Sequence, residues 1–375
     1  MLSIWEKDTW YAPQDVLIIG GGLMGLWSAL ELRLRKPHLR ITILERNTTP
    51  LGASTRNAGF ACFGSPTELW HDAEKNGADE MLSVVEMRYR GIEKIKQYFS
   101  KQQLQWEDCG GYECINRDYI HWAMLDDKLA KLNQCLQPVT GKEITFSRKD
   151  SELTAMGYRG FDSLIENPAE AALHSGKLVQ ALTNLVQEKS IGIRNGIKVS
   201  HWEQHNGAIH VHTEQGVVFT TQQLLLATNG FTGTITKAPA ILPARGQIIL
   251  TTPLPALPWK GTFHFDEGFY YWRHWQNRIL IGGARNIALE EENTYSLEGS
   301  STIRTALESF LQQHLPANWP WETAMHWSGI MGFTDNKQPV IEETEPGVFT
   351  AIACNGMGVA LTPVWAEKVA DRMLH

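Results

Sequence analysis

Gly20, Gly22 and Gly25 stand at the spacing Gly-x-Gly-x-x-Gly, and Glu45 closes a later apolar run, Ile41-Thr-Ile-Leu-Glu45. These residue types at these distances can hold a pyrophosphate. Gly20 permits a sharp turn, Gly22 lets the backbone approach a diphosphate, and Gly25 lets a helix lie close on a strand. Leu23 and Met24 would open that helix, whose N–H groups and positive dipole end favour phosphate oxygens. A carboxylate at Glu45 suits ribose hydroxyls and repels a 2′-phosphate, which disfavours NADP. The combination predicts an adenine dinucleotide and, with it, redox chemistry.

Two further groups could extend such a site. Ser54-Thr55-Arg56-Asn57 puts hydroxyls, a cation and an amide in one loop flanked by Gly52, Gly59 and Gly64. Backbone N–H groups and Arg56 could wrap a diphosphate there. Near the carboxyl end, Asn355-Gly356-Met357-Gly358 repeats the order of strand, glycines and helix. A helix N-terminus at that point would stabilise negative charge, such as that gathered on a reduced flavin ring.

The elements that must position these groups are legible as periodicities. An apolar strand begins at Asp15, and the helix after it carries Leu23, Trp27, Leu30 and Leu34 on one face until Pro37. Helices are expected around Met81–Phe99, Leu125–Leu136, Leu178–Leu185 and Ser300–Gln312, and after Gly358. Ala208–Thr213 and Val217–Thr220 read as a hairpin turning at Gly216, and Leu224–Ala227 as a separate buried strand. An aromatic strand, Gly268-Phe-Tyr-Tyr-Trp-Arg273, returns through Arg278–Gly282. The predicted fold is α/β with an α+β insertion. A discontinuous Rossmann-like domain takes residues 1–100, 160–240 and 325–375, and a β-rich substrate domain takes 101–159 and 241–324.

The chain has 375 residues, 43% hydrophobic and 20% charged, with net charge −7 and no lysine or arginine cluster. Nucleic acid binding needs a basic footprint, so it is not expected. No apolar run reaches the length of a membrane span, and the first residues lack a signal-peptide layout. Five cysteines form no metal-ligand spacing, and no metal site is predicted. A reducing, cytoplasmic setting is the expectation.

Taken together, the motifs resemble the FAD-dependent oxidoreductases of the D-amino-acid oxidase superfamily, which includes glycine oxidase, sarcosine oxidase and γ-glutamylputrescine oxidase. The matching pieces are Gly20–Gly25 with Glu45, the Ala53–Gly59 loop, Ala227-Thr228-Asn229-Gly230, Arg245-Gly246-Gln247, Trp327–Ile341 and Gly356–Val359. The resemblance implies FAD contacts along Gly20–Gly25, Glu45, Arg46, Ser54, Thr55, Arg56, Asn57, Gly59 and Phe60. It also implies contacts at Val199, Thr228, Asn229, Gly230, Gly329 and Gly356–Thr362, the last including Met357, Val359, Ala360 and Leu361. It implies oxidation of a C–N bond in a small amine or amino acid, with oxygen or another acceptor taking the electrons. An NAD-linked dehydrogenase, an electron-relay subunit and a hydroxy-acid oxidase are the alternatives.

The chain departs from the family at its carboxylate clamps. Met331 stands where glycine-oxidase-like members carry an arginine, and Val359-Ala360-Leu361 where sarcosine oxidases place a lysine. No cysteine lies between Trp321 and Val340, so non-covalent FAD is expected. Tyr270, Tyr271, Trp272, Arg273 and His274 are candidates for substrate contact, although alternate aromatics also pack the two faces of a sheet. Arg285 is the candidate replacement anion binder. His264, His274 and His326 are candidate bases, and Lys337 a candidate for activating oxygen near the flavin. Cys62 and Cys354 read as packing residues.

Overall fold

The computed structural model describes residues 2–237, 240–335 and 338–375. The chain forms two compact units. One holds Met1–Thr55, Gly176–Ala244 and Ile330–His375, and the other holds Arg56–Ser175 and Arg245–Gly329. No helix among the described residues is long and apolar enough to cross a membrane.

The first unit is built on a sheet whose strands run in the order Val340–Glu345, Val348–Ile352, Val218–Leu226, Gln14–Ile19, Ile41–Glu45 and Gly192–Asn195. All neighbours from Val348–Ile352 onward are parallel. Val16 to Ile19 and all of Ile41–Glu45 are buried, as a parallel strand covered on both faces requires. The helix Leu23–Arg35 is buried at every position from Leu23 to Leu32, because Gly358–Leu374 packs against it. Leu34, expected on the inner stripe, is instead 45% exposed. Val218–Leu226 is a single strand where the sequence suggested two. Its first half pairs antiparallel with Ala208–Thr213 and its second half parallel with Gln14–Ile19, and Thr221 takes a partner on each side.

The second unit is built on a sheet in the order Thr323–Phe333, Leu242–Thr251, Arg278–Gly283, Tyr270–Trp275, Thr262–Phe265, Gly111–Ile115, Ser163–Asn167 and Ser147–Arg148. Side chains alternate between its faces. Tyr112, Phe263, Trp272, Ile281 and Ile249 are register partners along one row and belong to the apolar core, with Leu307, Phe310 and Leu311 of the helix Ser301–His314. Phe263 and Trp272 stack at 5.3 Å between ring centroids. The adjacent row is Glu113, His264, Tyr271, Gly282 and Ile248, and it occupies the opposite face.

The nucleotide-binding segment was expected to run to residue 100, but the change of unit comes between Thr55 and Arg56. The helices Pro66–Asn76 and Ala78–Tyr98 pack together, and the second of them packs on Leu125–Thr140, all within the second unit. Amphipathic periodicity marks a buried stripe without saying which core the stripe joins.

Candidate functional site

In the first unit the glycine motif forms a side-chain-free cradle. Gly20 has φ +114, and a Cβ there would lie 2.5 Å from the Ala227 carbonyl oxygen. A Cβ on Gly25 would lie 2.0 Å from the Gly20 oxygen, so only glycine lets the helix seat this closely. Gly22 is the N-cap of Leu23–Arg35 and supplies no capping side chain. The Ser54 hydroxyl takes that role from a distant loop, accepting from the Leu23 N–H at 3.0 Å. A Cβ on Gly22 would sit 2.8 Å from the same oxygen. Glu45 is buried, with its carboxylate accepting from the Gly21 N–H and the Asn47 N–H, each at 3.0 Å.

These features fit an adenine dinucleotide. A helix N-terminus capped from a distant loop by Ser54 and a glycine wall converge where a diphosphate needs donors, and a carboxylate sits beside them. The carboxylate also orders the turn by holding Gly21 and Asn47.

The strand ends opposite carry the remaining cofactor candidates of this unit. Asn229 has φ 45, and its side-chain oxygen accepts from the Ala353 N–H at 3.2 Å. A Cβ on Gly230 would meet the Met331 carbonyl oxygen at 2.3 Å. Thr228 and Thr232 share a hydroxyl hydrogen bond of 2.8 Å. The Arg46 guanidinium lies 3.8 Å from the centroid of the Phe231 ring. Asn355 and Gly356 both have positive φ, and Met357 then caps Gly358–Leu374 without a side-chain hydrogen bond. Val359 to Thr362 are buried in its first turns, and the Thr362 hydroxyl donates to the Gly358 carbonyl at 2.7 Å. Val199 is buried in the apolar cluster of this unit.

In the second unit the loop after Thr55 is tied down by the side chains expected along the cofactor. Arg56 Nη1 donates to the Ser328 carbonyl at 2.8 Å, while its own carbonyl accepts from Trp327 Nε1 at 3.0 Å. Ser328 precedes Gly329 in the strand Thr323–Phe333. Asn57 Oδ1 accepts from the Gly59 N–H at 2.9 Å and the Ser175 hydroxyl at 2.6 Å. Gly59 has φ +76 and abuts the Leu173 carbonyl. Phe60 then lies on the polar sheet face, 5.3 Å from the His264 ring and 6.0 Å from the Tyr271 ring.

His264 is 7% exposed, and neither ring nitrogen has a hydrogen-bond partner within the protein. Burial pushes its pKa down to about 4, so the imidazole is neutral at physiological pH. Tyr271, directly across the strand pair, has its phenol pushed up to about 12 by burial, opposed by the nearby Arg285 charge. Burial lowers the Arg285 pKa, while the Glu292 carboxylate acts in the other direction. Glu292 is fully buried and accepts from Arg245 Nε at 2.9 Å and from Gln247 Nε2 at 2.8 Å. This network holds the chain segment that carries Arg285, and nothing in the local sequence pattern pointed to Glu292. Two more buried acids shape the segment after Phe60. Glu113 accepts from the Thr67 N–H at 3.0 Å and Glu170 from the Phe63 N–H at 3.1 Å.

The other aromatic-strand candidates point elsewhere. Tyr270 stacks on Phe310 at 4.6 Å, against the apolar core. Trp272 is in that core, donating to the Tyr158 hydroxyl at 2.7 Å. Arg273 is 1% exposed, and its Nη1 donates to the carbonyls of Gly59 and Leu173 at 3.1 and 2.9 Å, which makes it a clamp on the cofactor-loop backbone. His274 pairs with Glu107 at 2.7 Å, and His326 with Gln247 Oε1 at 2.9 Å. Cys62 and Cys354 are buried. Lys337 lies outside the described residues.

The chain is similar to known proteins over almost its whole length. The family model described as FAD dependent oxidoreductase (DAO) matches residues 15–372. The chain is 24% identical to "Probable oxidoreductase OrdL" of Rhizobium meliloti, over 96% of this chain and 83% of that one. It is 23% identical to gamma-glutamylputrescine oxidoreductase of Escherichia coli, over 95% of this chain and 83% of that one. Among solved structures, the L-proline dehydrogenase of P. horikoshii superposes with a TM-score of 0.76 at 18% identity, covering 96% of this chain and 92% of that one.

Proposed function

The chain belongs to the FAD-dependent oxidoreductase family, and from that premise we propose that it oxidises the C–N bond of a small amine or amino acid, with Tyr271, His264 and Arg285 as its substrate-contacting groups. The observation that carries the reading is His264. A buried imidazole with both nitrogens unpaired costs free energy unless a ligand supplies the missing hydrogen bonds. Tyr271 beside it offers a phenol, and Arg285 a cation that can face a carboxylate.

When bound, FAD supplies the two-electron acceptor for a hydride leaving the carbon next to nitrogen. The chain's residues supply the rest. The helix tip at Gly22, where Ser54 caps Leu23, would receive the diphosphate, and Glu45 would receive the ribose. The N-terminal tip of Gly358–Leu374 would favour negative charge on a bound flavin by its dipole. Ser54 to Asn57, Gly59 and Phe60 would contact the cofactor. Tyr271 donates a hydrogen bond to the substrate and fixes its orientation. His264, held neutral, accepts one from the substrate amine. No protein base is needed when the amine enters uncharged, and the imine product hydrolyses in water.

FAD is held without a covalent bond in this reading, supported by the lack of any cysteine between Trp321 and Val340. Acid precipitation should then release the yellow colour into the supernatant. The decisive test mixes the FAD-loaded protein anaerobically with a panel of amines, amino acids and hydroxy acids. Bleaching of the flavin by an amine, with release of a carbonyl product, is expected. Bleaching by hydroxy acids alone, or by nothing in the panel, would overturn the proposal.

A further inference from the structure

The first unit carries a histidine-rich hairpin for which the redox chemistry has no use. Val199–His205 and Ala208–Thr213 are joined by Asn206 and Gly207, whose φ values are 52 and 76. Positive φ at both turn residues fixes the hairpin's register. Trp202, Ile209 and Val211 join the apolar cluster with Phe219. Trp202 Nε1 also donates to Glu345 and Gln204 Nε2 to the Pro346 carbonyl, so the inner face is anchored.

The other face presents His201, Glu203 and His205 from one strand and His210 and His212 from its neighbour. Register sets His201 opposite His212, and Glu203 opposite His210. The His201 and His212 rings stack with centroids 4.4 Å apart and planes 5° from parallel. Glu203 Oε1 lies 3.2 Å from His212 Nε2. His201 Nδ1 is hydrogen-bonded to the Ser200 hydroxyl at 3.1 Å, which leaves Nε2 as the ligating atom of that ring.

We propose that His201, His212 and Glu203 form a surface site for a late first-row transition-metal dication of the zinc, nickel or copper class. Imidazole nitrogen with one carboxylate is a donor set suited to these ions rather than to magnesium or calcium. Tetrahedral zinc holds ligand nitrogens at about 2.0–2.1 Å, which puts two of them about 3.4 Å apart. Imidazole lone pairs lie in the ring plane, so the rings stacked at 4.4 Å must tilt out of their parallel stack until both Nε2 atoms aim at one point, a rotation that the broad χ2 torsion of histidine allows. Among the described residues no three such groups are already placed to hold a metal ion. The metal closes the site by that tilt, with Glu203 turning from His212 to the ion and water filling the remaining position. A backbone anchored by its turn and its inner face lowers the ordering cost of this closure.

The test is calorimetric titration of the untagged, FAD-loaded full chain with zinc chloride, and separately with nickel chloride. Saturable binding of one ion is expected. The double variant His201→Asn/His212→Asn should lose at least about tenfold in affinity while keeping its flavin content and melting temperature. Glu203→Gln should lose less. Should the double variant melt early, His212→Gln alone provides the same comparison. Absence of saturable binding by the wild type, or an unchanged isotherm in the folded variant, overturns the proposal. Neither result bears on flavin bleaching, so the two proposals fail independently.

Discussion

Tyr271 lies directly across from Gly282 in neighbouring antiparallel strands, and a Cβ on Gly282 would come within 2.6 Å of the Tyr271 phenol ring. The glycine is the seat on which the ring rests. Gly282→Ala should push the ring from its position at a packing cost of about 1–3 kcal/mol. We expect steady-state kcat/KM for the best amine to fall at least about tenfold, the equivalent of 1.4 kcal/mol, with flavin content unchanged. Loss of flavin in proportion to activity would assign Gly282 to folding rather than to the placement of Tyr271.

Arg285→Met separates substrate recognition from cofactor binding. A desolvated cation that pairs with a carboxylate contributes about 2–3 kcal/mol to its binding. Acidic substrates should therefore lose roughly a hundredfold in kcat/KM, while neutral amines and FAD change little. Equal losses for acidic and neutral substrates would count against Arg285 as the anion partner.

Gly22→Ala tests the cradle. The new methyl group would crowd the Ser54 hydroxyl that caps the helix at Leu23. FAD affinity should drop by about 1–2 kcal/mol, tenfold for every 1.4 kcal/mol, in a fluorescence-quenching titration of apoprotein. Ser54→Ala should cost about 1 kcal/mol of stability through the lost cap.

Buried acids and a buried base give stability two opposite pH limbs. Burial raises Glu113 from 4.5 to about 7 and Glu170 from 4.5 to about 8, so the folded state keeps protons that the unfolded chain has released. Stability from this source is present below the unfolded values and is lost as pH rises through about 7 to 8. His264 is lowered from 6.5 to about 4, so the unfolded chain binds its proton first and stability is lost as pH falls through that window. The windows overlap between 4.5 and 6.5, where two carboxyls outweigh one imidazole, so melting temperature at saturating FAD should fall from about pH 5 to pH 8. Glu113→Gln should make the fall shallower, and His264→Asn should make it steeper below pH 6.5. A melting curve independent of pH from 5 to 8 in the wild type would contradict the assignment.

The glycine cradle of the first unit was legible because its signals are local. Gly20, Gly22 and Gly25 each answer a backbone requirement within a few residues of themselves, and Glu45 follows a strand whose apolar run announces it. The substrate-contact candidates of the second unit were legible only as a list. Tyr270, Tyr271, Trp272 and Arg273 alternate between faces, and alternation alone does not say which face is the core.

The sequence by itself determined the dinucleotide motif, the family and the order of elements, because glycine spacing and hydrophobic period are properties of short stretches. Tertiary structure alone decided that Tyr270 stacks on Phe310 while Tyr271 shares a face with His264, and that Arg273 clamps Gly59. It also decided that Glu292 braces Arg245, and that residues 56–100 join the second unit. Most of those facts depend on contacts between residues tens to hundreds of positions apart, and such contacts are fixed by the packing of whole sheets and helices rather than by any local preference.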